Sequence, residues 1–130
     1  KGSVMIFVFG SNLSGRHGAG AAKFALNNHG AIYGKAIGLM GNSYAIPTKD
    51  QNFKSLPLHI IGEFVEEFKE FASSNPTLTF QLTRYGCGLA GYHDSDIIPL
   101  FGDGLAKNIL IPSEWIGAFQ NESWGSYDDK

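Results

Sequence analysis

Runs of apolar residues alternate along the chain with helical repeats of apolar and polar positions. The first run, residues 4–9, is continuous rather than alternating, which is typical of a strand covered on both faces of a sheet. A different pattern begins at Leu58, where apolar residues recur at steps of three and four and glutamates fall mostly on the other side. This repeat predicts an amphipathic helix to about Ser73.

Turn residues and shorter apolar patterns predict the remaining elements. We expect strands at residues 35–39, 43–46, 78–83 and 108–111, helices at residues 21–28 and from residue 95, and a helical turn at residues 113–119. Pro47 is expected to stop the strand before it, Ser55 and Pro57 to start the long helix as N-cap and first-turn proline, and Asp94 or Ser95 to cap the later one. The order β-α-β-β-α-β-α-β predicts an α/β domain with a mixed, mainly parallel sheet and helices on both faces.

Composition bounds the class of protein. A chain of 130 residues with 43% hydrophobic and 17% charged residues suits one domain, which we assign to residues 1–120, with a polar tail at residues 121–130. The net charge of −2 and the lack of a basic run argue against long nucleic acids as partners. A single cysteine fits a reducing cytosol, and no apolar run is long enough to span a bilayer. We therefore expect a cytoplasmic protein with no membrane partner.

Three loops are expected to leave strands at the carboxyl edge of the sheet, where α/β proteins bind ligands. Two of them, residues 10–20 and 86–92, are rich in glycine, and the third, residues 47–50, carries Lys49. Glycines let the backbone approach a ligand, and a helix that starts beside them presents N–H groups to an anion. Asn12 lies just past the first strand, where its amide can hold a sugar hydroxyl or a base edge. The convergence predicts a phosphate-containing ligand, and the alternative is that the glycines serve only the sterics of tight turns.

Four motifs, in this order, resemble the macro domain: Asn12, residues 18–22 (GAGAA), residues 47–49 (PTK) and residues 86–89 (GCGL). The chain is most similar to the branch of terminal ADP-ribose–protein glycohydrolases and DNA ADP-ribosyl glycohydrolase antitoxins, and the similarity extends from residue 4 to Trp115. The resemblance implies a three-layer α-β-α macro-like fold and a site for ADP-ribose or a related NAD-derived nucleotide, with no further cofactor and no metal. A small bacterial or phage protein would have these features.

The resemblance also implies roles for individual residues. Asn12 would contact the distal ribose, and that ribose and the diphosphate would be cradled by the turn of Gly18, Ala19, Gly20 and Ala21. A second diphosphate loop, giving backbone N–H groups to phosphate oxygens, would consist of Gly86, Cys87, Gly88, Leu89, Ala90, Gly91 and Tyr92. Within that loop, Tyr92 would cover the distal ribose. Lys49 matches the lysine that the glycohydrolases use against the ribose anomeric carbon, a step that needs the unprotonated amine.

One position departs from the protein-directed glycohydrolases, which have an aspartate directly after GCGL where this chain has Ala90. The DNA-directed branch also lacks that aspartate, and Asp50, His93 and Asp94 are nearby substitutes for the missing acid or base. Three hypotheses stay open. The first is hydrolysis of an ADP-ribosyl bond in an ADP-ribosylated substrate, with Lys49 as nucleophile or polarising cation. The second is a non-catalytic module that reads or sequesters an ADP-ribose-type signal, and the third is a remodelled pocket that serves protein contacts.

Several other residues have a structural alternative to a role in the site. We expect His17 to be exposed in its loop rather than to contact the ligand, and His59 to lie on the polar face of the long helix. Cys87 is expected to be a small packing residue and not a nucleophile. Trp115 and Phe119 are candidates either for stacking on adenine or for packing in the core. No set of histidine, cysteine and acidic residues has metal-ligand spacing.

Overall fold

The described part of the chain forms five strands and three α-helices in the predicted order. The structure, a computed structural model, describes residues 4–84, 91–102 and 105–118. The strands are β1 (Val4–Asn12), β2 (Gly38–Met40), β3 (Ser43–Lys49), β4 (Leu78–Leu82) and β5 (Ile109–Leu110). The helices are α1 (Gly20–Asn28), α2 (Leu58–Ser74) and α3 (Asp94–Phe101), followed by a 3-10 helix at Ser113–Ala118. The predicted tail, residues 121–130, lies outside the described residues.

These strands form one sheet in the order β2-β3-β1-β4-β5. β1 pairs in parallel with both β3 and β4, and β4 pairs in parallel with β5, whereas β2 at the edge is antiparallel to β3. The predicted mixed, mainly parallel sheet is therefore confirmed. The continuous apolar run belongs to the central strand β1, which has a strand on each side and a layer of helix on each face.

Side chains on the two faces of β1 enter two separate hydrophobic cores. Ile6 and Val8 belong to the larger core, which packs against α2 and α3, whereas Phe7 and Phe9 belong to a smaller core beneath α1. The predicted amphipathic helix α2 is confirmed, because its fully buried residues are Ile61, Val65, Phe68 and Ala72. Helices cover both faces of the sheet and give the three-layer arrangement.

β3 continues through Pro47, contrary to the prediction that this proline ends it. Pro47 pairs with Ser11 of β1, and β3 ends only at Lys49. The neighbour on the other side, β2, pairs no further along β3 than Ala45, so no strand opposite Pro47 on that side needs the N–H that proline lacks. As a result, Lys49 is the last residue of a strand and not part of an irregular loop.

The start of α2 also differs from the prediction. Ser55 does not cap the helix, because it forms an isolated antiparallel bridge with Lys49. The N-cap is Pro57, which has an extended backbone and makes no side-chain capping bond, and the helix begins at Leu58. The bridge ties the segment before α2 to the end of β3, and that pairing is set by the tertiary structure and not by local capping preference.

Tyr44 of β3 is buried beneath α2, where its ring centroid lies 5.1 Å from that of Phe68 and 5.4 Å from that of Phe71. Burial, and secondarily the charge of Glu67, raises the pKa of Tyr44 to about 12 from its ordinary value of 10.0. Because the folded-state pKa is the higher one, the neutral phenol contributes stability that is complete below pH 10.0 and is lost as the pH rises towards about 12. In an ultraviolet titration of tyrosinate we expect one late ionisation that is missing from Tyr44→Phe. Retention of that late step in the variant would contradict the assignment.

Candidate functional site

A cleft opens at the carboxyl ends of the adjacent parallel strands β1 and β3. The connection after β1 leads to α1 on one face of the sheet, and the connection after β3 leads to α2 on the opposite face. Adjacent strands whose connections leave to opposite faces create a crevice beyond their carboxyl ends. The cleft has a volume of ≈ 260 Å³ and is lined by Gly10, Ser11, Asn12, Arg16, Gly18, Ala19, Ala22, Tyr33, Thr48, Lys49 and Phe53.

An irregularity in the pairing of β1 with β3 determines which residues come together at this edge. Ser11 pairs with Pro47, but the next residue, Asn12, pairs with Lys49, so Thr48 is an extra residue on β3. The Thr48 hydroxyl donates to the Ser11 carbonyl at 3.4 Å. A bulge of this kind redirects the side chains beside it and is common next to functional sites. Here it brings Lys49 into register with Asn12, and both residues line the cleft.

The side chain of Asn12 holds the loop after β1 in shape. Its Oδ1 accepts hydrogen bonds from the Ser14 hydroxyl at 2.6 Å and from the Arg16 N–H at 3.0 Å, and its Nδ2 donates to the Arg16 carbonyl at 2.7 Å. Both lone pairs of Oδ1 are therefore used within the loop, which leaves one N–H of Nδ2 for a ligand. Contact between Asn12 and a ribose stays a prediction, and any such contact is made by the nitrogen.

The amino end of α1 meets the cleft at Gly18, Ala19 and Ala22. The helix begins at Gly20 after the N-cap Ala19, with no side-chain capping bond and no acidic residue in its first turn. N–H groups of a first helical turn lack partners within the helix and favour an anion. Four predicted ligand-binding residues, Gly18 to Ala21, therefore surround this helix start, and Gly18 and Ala19 are the two that line the cleft.

Two exposed aromatic rings and two cations border the cleft. Of these four residues, only Lys49 was predicted as a site residue from the sequence. Phe53 and Tyr33 keep 46% and 59% of their surface exposed. The guanidinium carbon of Arg16 lies 5.8 Å from the centroid of the Phe53 ring, within the range of a cation–π contact. The described residues that line the cleft include no acidic side chain, so Arg16 and Lys49 give it a positive charge. The available signal for Phe53 was a large apolar residue in an otherwise polar loop.

Asp50, a predicted acid or base, shapes the turn that carries Phe53. Its Oδ1 accepts from the N–H groups of Asn52 at 2.8 Å and Lys54 at 2.9 Å, and its own N–H donates to the Lys54 carbonyl at 2.7 Å. Asp50 follows Lys49 directly but does not line the cleft. The carboxylate therefore has a structural role in the turn, and its part in proton transfer stays a prediction.

His17 is fully buried, so the expectation that it is exposed is wrong. Its Nε2 lies 3.0 Å from the Lys35 carbonyl, and its ring centroid lies 5.3 Å from that of Phe9 and 6.3 Å from that of Tyr33. The carbonyl needs a donor, so in the neutral ring Nε2 carries the proton and Nδ1 does not. Within the described residues Nδ1 has no hydrogen-bond partner. The loop folds over the smaller core, and His17 supports the loop from beneath without lining the cleft.

His93 lies at the exposed start of α3 and does not line the cleft. It is the N-cap of that helix, so the prediction of Asp94 or Ser95 in this position is wrong by one or two residues. The backbone N–H of His93 donates to a carboxylate oxygen of Asp96 at 3.0 Å, which satisfies a donor at the helix start. Asp94 pairs with Arg84, with 3.1 Å between Nε and Oδ1. Neither His93 nor Asp94 is among the described residues that line the cleft, and a part in proton transfer stays a prediction for both.

Two aromatic candidates pack against the larger core instead of the cleft. The Tyr92 hydroxyl donates to the Leu56 carbonyl at 2.6 Å. Trp115 is fully buried, with its ring centroid 5.9 Å from that of Phe101, so of its two alternatives the packing role is the one observed. Gly91 has a φ of +83°. The remaining residues of the predicted loop lie outside the described residues, and these are Gly86, Cys87, Gly88, Leu89 and Ala90. Phe119 lies outside them as well.

Comparison with known proteins adds no family to this picture. No protein-family model matches the sequence, and no curated protein matches it. Among the residues that the structure describes, no three metal-ligating side chains come together, and no helix is long and apolar enough to cross a bilayer. Any assignment of function therefore depends on the chemistry of the cleft and on the sequence motifs.

Proposed function

We propose that the chain binds ADP-ribose or a related NAD-derived nucleotide in the cleft between β1 and β3. The observation that carries the proposal is that one cleft combines a positive charge, an uncapped helix start and exposed aromatic rings. Arg16, Lys49 and the first N–H groups of α1 suit phosphate oxygens. The aromatic rings of Phe53 and Tyr33 suit the planar base of a nucleotide. The resemblance of four sequence motifs to the macro domain supports the same class of ligand.

The size of the cleft indicates how such a ligand is held. Small-molecule sites commonly have volumes of about 300–1,000 Å³, and this cleft, at ≈ 260 Å³, lies just below that range. It therefore encloses one part of a nucleotide of this size, and the remainder extends over the rim. The rim at Gly18 is open, because a Cβ added there would meet no atom within 4 Å. Backbone groups of the glycine turn are thus accessible to a ligand from outside.

Binding without turnover is the function that the described side chains support best. Cleavage of a glycosidic bond draws on a positioned acid or base. Among the described residues, the lining of the cleft includes no carboxylate and no imidazole. Ala90 stands where the protein-directed glycohydrolases have an aspartate. We therefore propose a module that reads or sequesters an ADP-ribose-type signal. Hydrolysis is the second candidate, and Lys49 at the edge of the cleft is the observation that favours it.

Calorimetric titration with ADP-ribose tests the proposed binding. We expect saturable binding and, at a hundredfold excess of ligand over its Kd, an increase of about 2.7 kcal/mol in the free energy of unfolding. ADP and NAD⁺ serve as further probes of the same class. If none of the three nucleotides binds or raises the thermal stability, the proposal is wrong and the cleft serves another purpose.

Lys49→Ala is expected to weaken ADP-ribose binding about tenfold or more, because a hydrogen bond to a charged group contributes about 1.5–3 kcal/mol. The matched control is Lys107→Ala, which removes an exposed lysine that does not line the cleft and should leave the Kd unchanged. Equal affinities of the wild type and Lys49→Ala would show that the ammonium group does not meet the ligand.

The same two variants separate binding from hydrolysis. Wild-type protein is incubated with an ADP-ribosylated peptide and with an oligonucleotide that carries ADP-ribose at its 5′ end, and released ADP-ribose is measured by chromatography. For a reader or sequestering module we expect no product from either substrate. Product that forms with the wild type and with Lys107→Ala, but not with Lys49→Ala, would establish the hydrolase instead.

A further inference from the structure

Phe53 has a backbone conformation that the core of the protein does not explain. Its φ is +65°, and it is the one non-glycine residue with a positive φ within the described residues. Residues other than glycine, asparagine and aspartate rarely adopt this backbone conformation. The ring belongs to neither hydrophobic core, and nearly half of its surface is exposed. Burial of the ring therefore does not compensate for the strained backbone.

The turn around Phe53 is rigidly built. The N–H of Phe53 donates to the Asp50 carbonyl at 3.0 Å, and the Asp50 carboxylate accepts from the N–H groups of the two residues on either side of Phe53. The bridge between Lys49 and Ser55 closes the base of the turn. Such strain persists only where the surrounding structure imposes it, and it is concentrated at ligand sites. The backbone that presents the ring is thus held in place before any ligand arrives.

The second observation is the position of the Phe53 ring relative to the cleft. Phe53 lines the cleft, the Arg16 guanidinium lies over its ring, and Tyr33 borders the same cleft. Nucleic-acid bases stack on aromatic rings and on arginine guanidinium planes, because every base has a π-face. An exposed ring beside a cation therefore offers two kinds of stacking surface to a planar group.

We propose that Phe53 and Arg16 form a stacking subsite for a planar ring of the nucleotide in the cleft. Asp50 is the positioning residue of this subsite, since its carboxylate holds the turn that presents Phe53. This inference rests on the proposed function, because it names the part of the cleft that recognises a ring. It assigns the ring of Phe53 and the guanidinium plane of Arg16 to recognition of a planar ring, in addition to the positive charge that Arg16 gives the cleft.

Two pairs of ligands, titrated by calorimetry, isolate the contribution of a ring. ADP carries an adenine that ribose 5-diphosphate lacks, and NADH carries a dihydronicotinamide that ADP-ribose lacks. In the wild type we expect the ring-bearing member of at least one pair to bind more tightly. In Phe53→Ala that ring-dependent difference should shrink by about fivefold to about a hundredfold, which is the range for loss of a base–aromatic stack. The affinity of the ligand without that ring should stay the same.

Matched variants distinguish stacking from a general disturbance of the turn. Phe53→Trp keeps a planar ring and should retain the ring-dependent difference. Phe24→Ala removes a ring that is 50% exposed on α1 and does not line the cleft, so it should leave the ring-dependent difference in affinity unchanged in both pairs. Asp50→Ala should reduce the ring-dependent difference, and Asp50→Asn, which keeps an acceptor oxygen, should restore it.

The outcomes separate this inference from the proposed function. If no nucleotide binds the wild type, the proposed function is wrong and the subsite is wrong with it. If ADP-ribose binds but Phe53→Ala leaves both ring-dependent differences intact, the proposed function stands and the stacking subsite is wrong. An equal loss of affinity for the two members of each pair would also overturn the subsite, because it would show that Phe53 only supports the loop.

Discussion

Replacement of Gly15 by alanine is expected to lower the free energy of unfolding by about 2–6 kcal/mol, as the sum of backbone strain and overpacking. Gly15 has a φ of +73°, and a Cβ at this position would lie 2.4 Å from the carbonyl carbon of Gly34. The two segments are in direct backbone contact, because the Gly34 N–H donates to the Gly15 carbonyl at 2.8 Å. A side chain at Gly15 therefore separates the loop after β1 from the segment after α1. Urea denaturation followed by circular dichroism measures the loss.

Two further glycines divide the expected effect into its causes. Gly34 has a φ of +95° but open space where a Cβ would lie. Gly34→Ala should therefore lower the free energy of unfolding by the backbone strain alone, about 1–3 kcal/mol. Gly18 has neither a positive φ nor a near neighbour, so Gly18→Ala should leave the stability unchanged. Gly18→Ala should therefore be the most stable of the three variants, Gly34→Ala should be intermediate, and Gly15→Ala should be the least stable. A Gly15→Ala protein as stable as Gly18→Ala would contradict the close approach of the two segments.

Asn108→Asp is expected to lower the free energy of unfolding by about 3 kcal/mol at neutral pH, since it leaves acceptors unpaired and adds a charge. The Nδ2 of Asn108 lies 3.0, 3.1 and 2.9 Å from the carbonyl oxygens of Ala72, Asn75 and Leu78, and its two N–H groups are shared among these three acceptors. These carbonyls belong to the end of α2 and the start of β4. A carboxylate in the same place is an acceptor only and faces three other acceptors. Chemical denaturation of the wild type and the variant gives the difference.

An exposed asparagine provides the matched control for Asn108. The Nδ2 of Asn28 donates to the Phe24 carbonyl at 3.1 Å near the end of α1, and that bond is exposed to solvent. Asn28→Asp makes the same chemical change and should lower the free energy of unfolding by no more than about 1 kcal/mol. The main cause is the unfavourable interaction of a negative charge with the C-terminal end of the helix dipole. If the two variants lose equal stability, the three bonds of Asn108 are not what joins α2 to β4.

The elements predicted correctly from the sequence are those in which the spacing of apolar residues reveals which side chains are buried. β1 and α2 are of this kind, because each buries a continuous run or a repeating face. The misplaced boundaries depend on neighbouring strands. β3 passes through Pro47 because β2 is too short to reach it, and Ser55 pairs with Lys49 instead of capping a helix. Neither the length of a neighbour nor a bridge between loops is encoded in the residues at the boundary itself.

The candidate site was predicted in part for the same reason. Residues at strand ends and helix starts, such as Asn12, Lys49 and Gly18, follow from topology, and the structure places them around one cleft. Phe53 was missed because its exposure depends on a turn that Asp50 stabilises through side-chain contacts. His17 was predicted wrongly because the loop folds back over the smaller core, which buries a residue that lies between polar and glycine neighbours. Irregular segments carry no period from which side-chain direction can be inferred.

The two cores on either side of the sheet are unequal, and this has a consequence for local unfolding. The buried residues of α1 are the small Ala22 and Ala25, with Ala21 and Leu26 partly buried against the same core, whereas α2 buries large side chains such as Phe68. Detachment of α1 therefore exposes far less apolar surface than global unfolding, and the layer is suited to open as a separate cooperative unit. A ligand held between the start of α1 and the end of β3 would link the weaker unit to the stronger one. Occupancy of the cleft would then suppress opening of α1, while the exchange of amides in α2 would follow global unfolding alone.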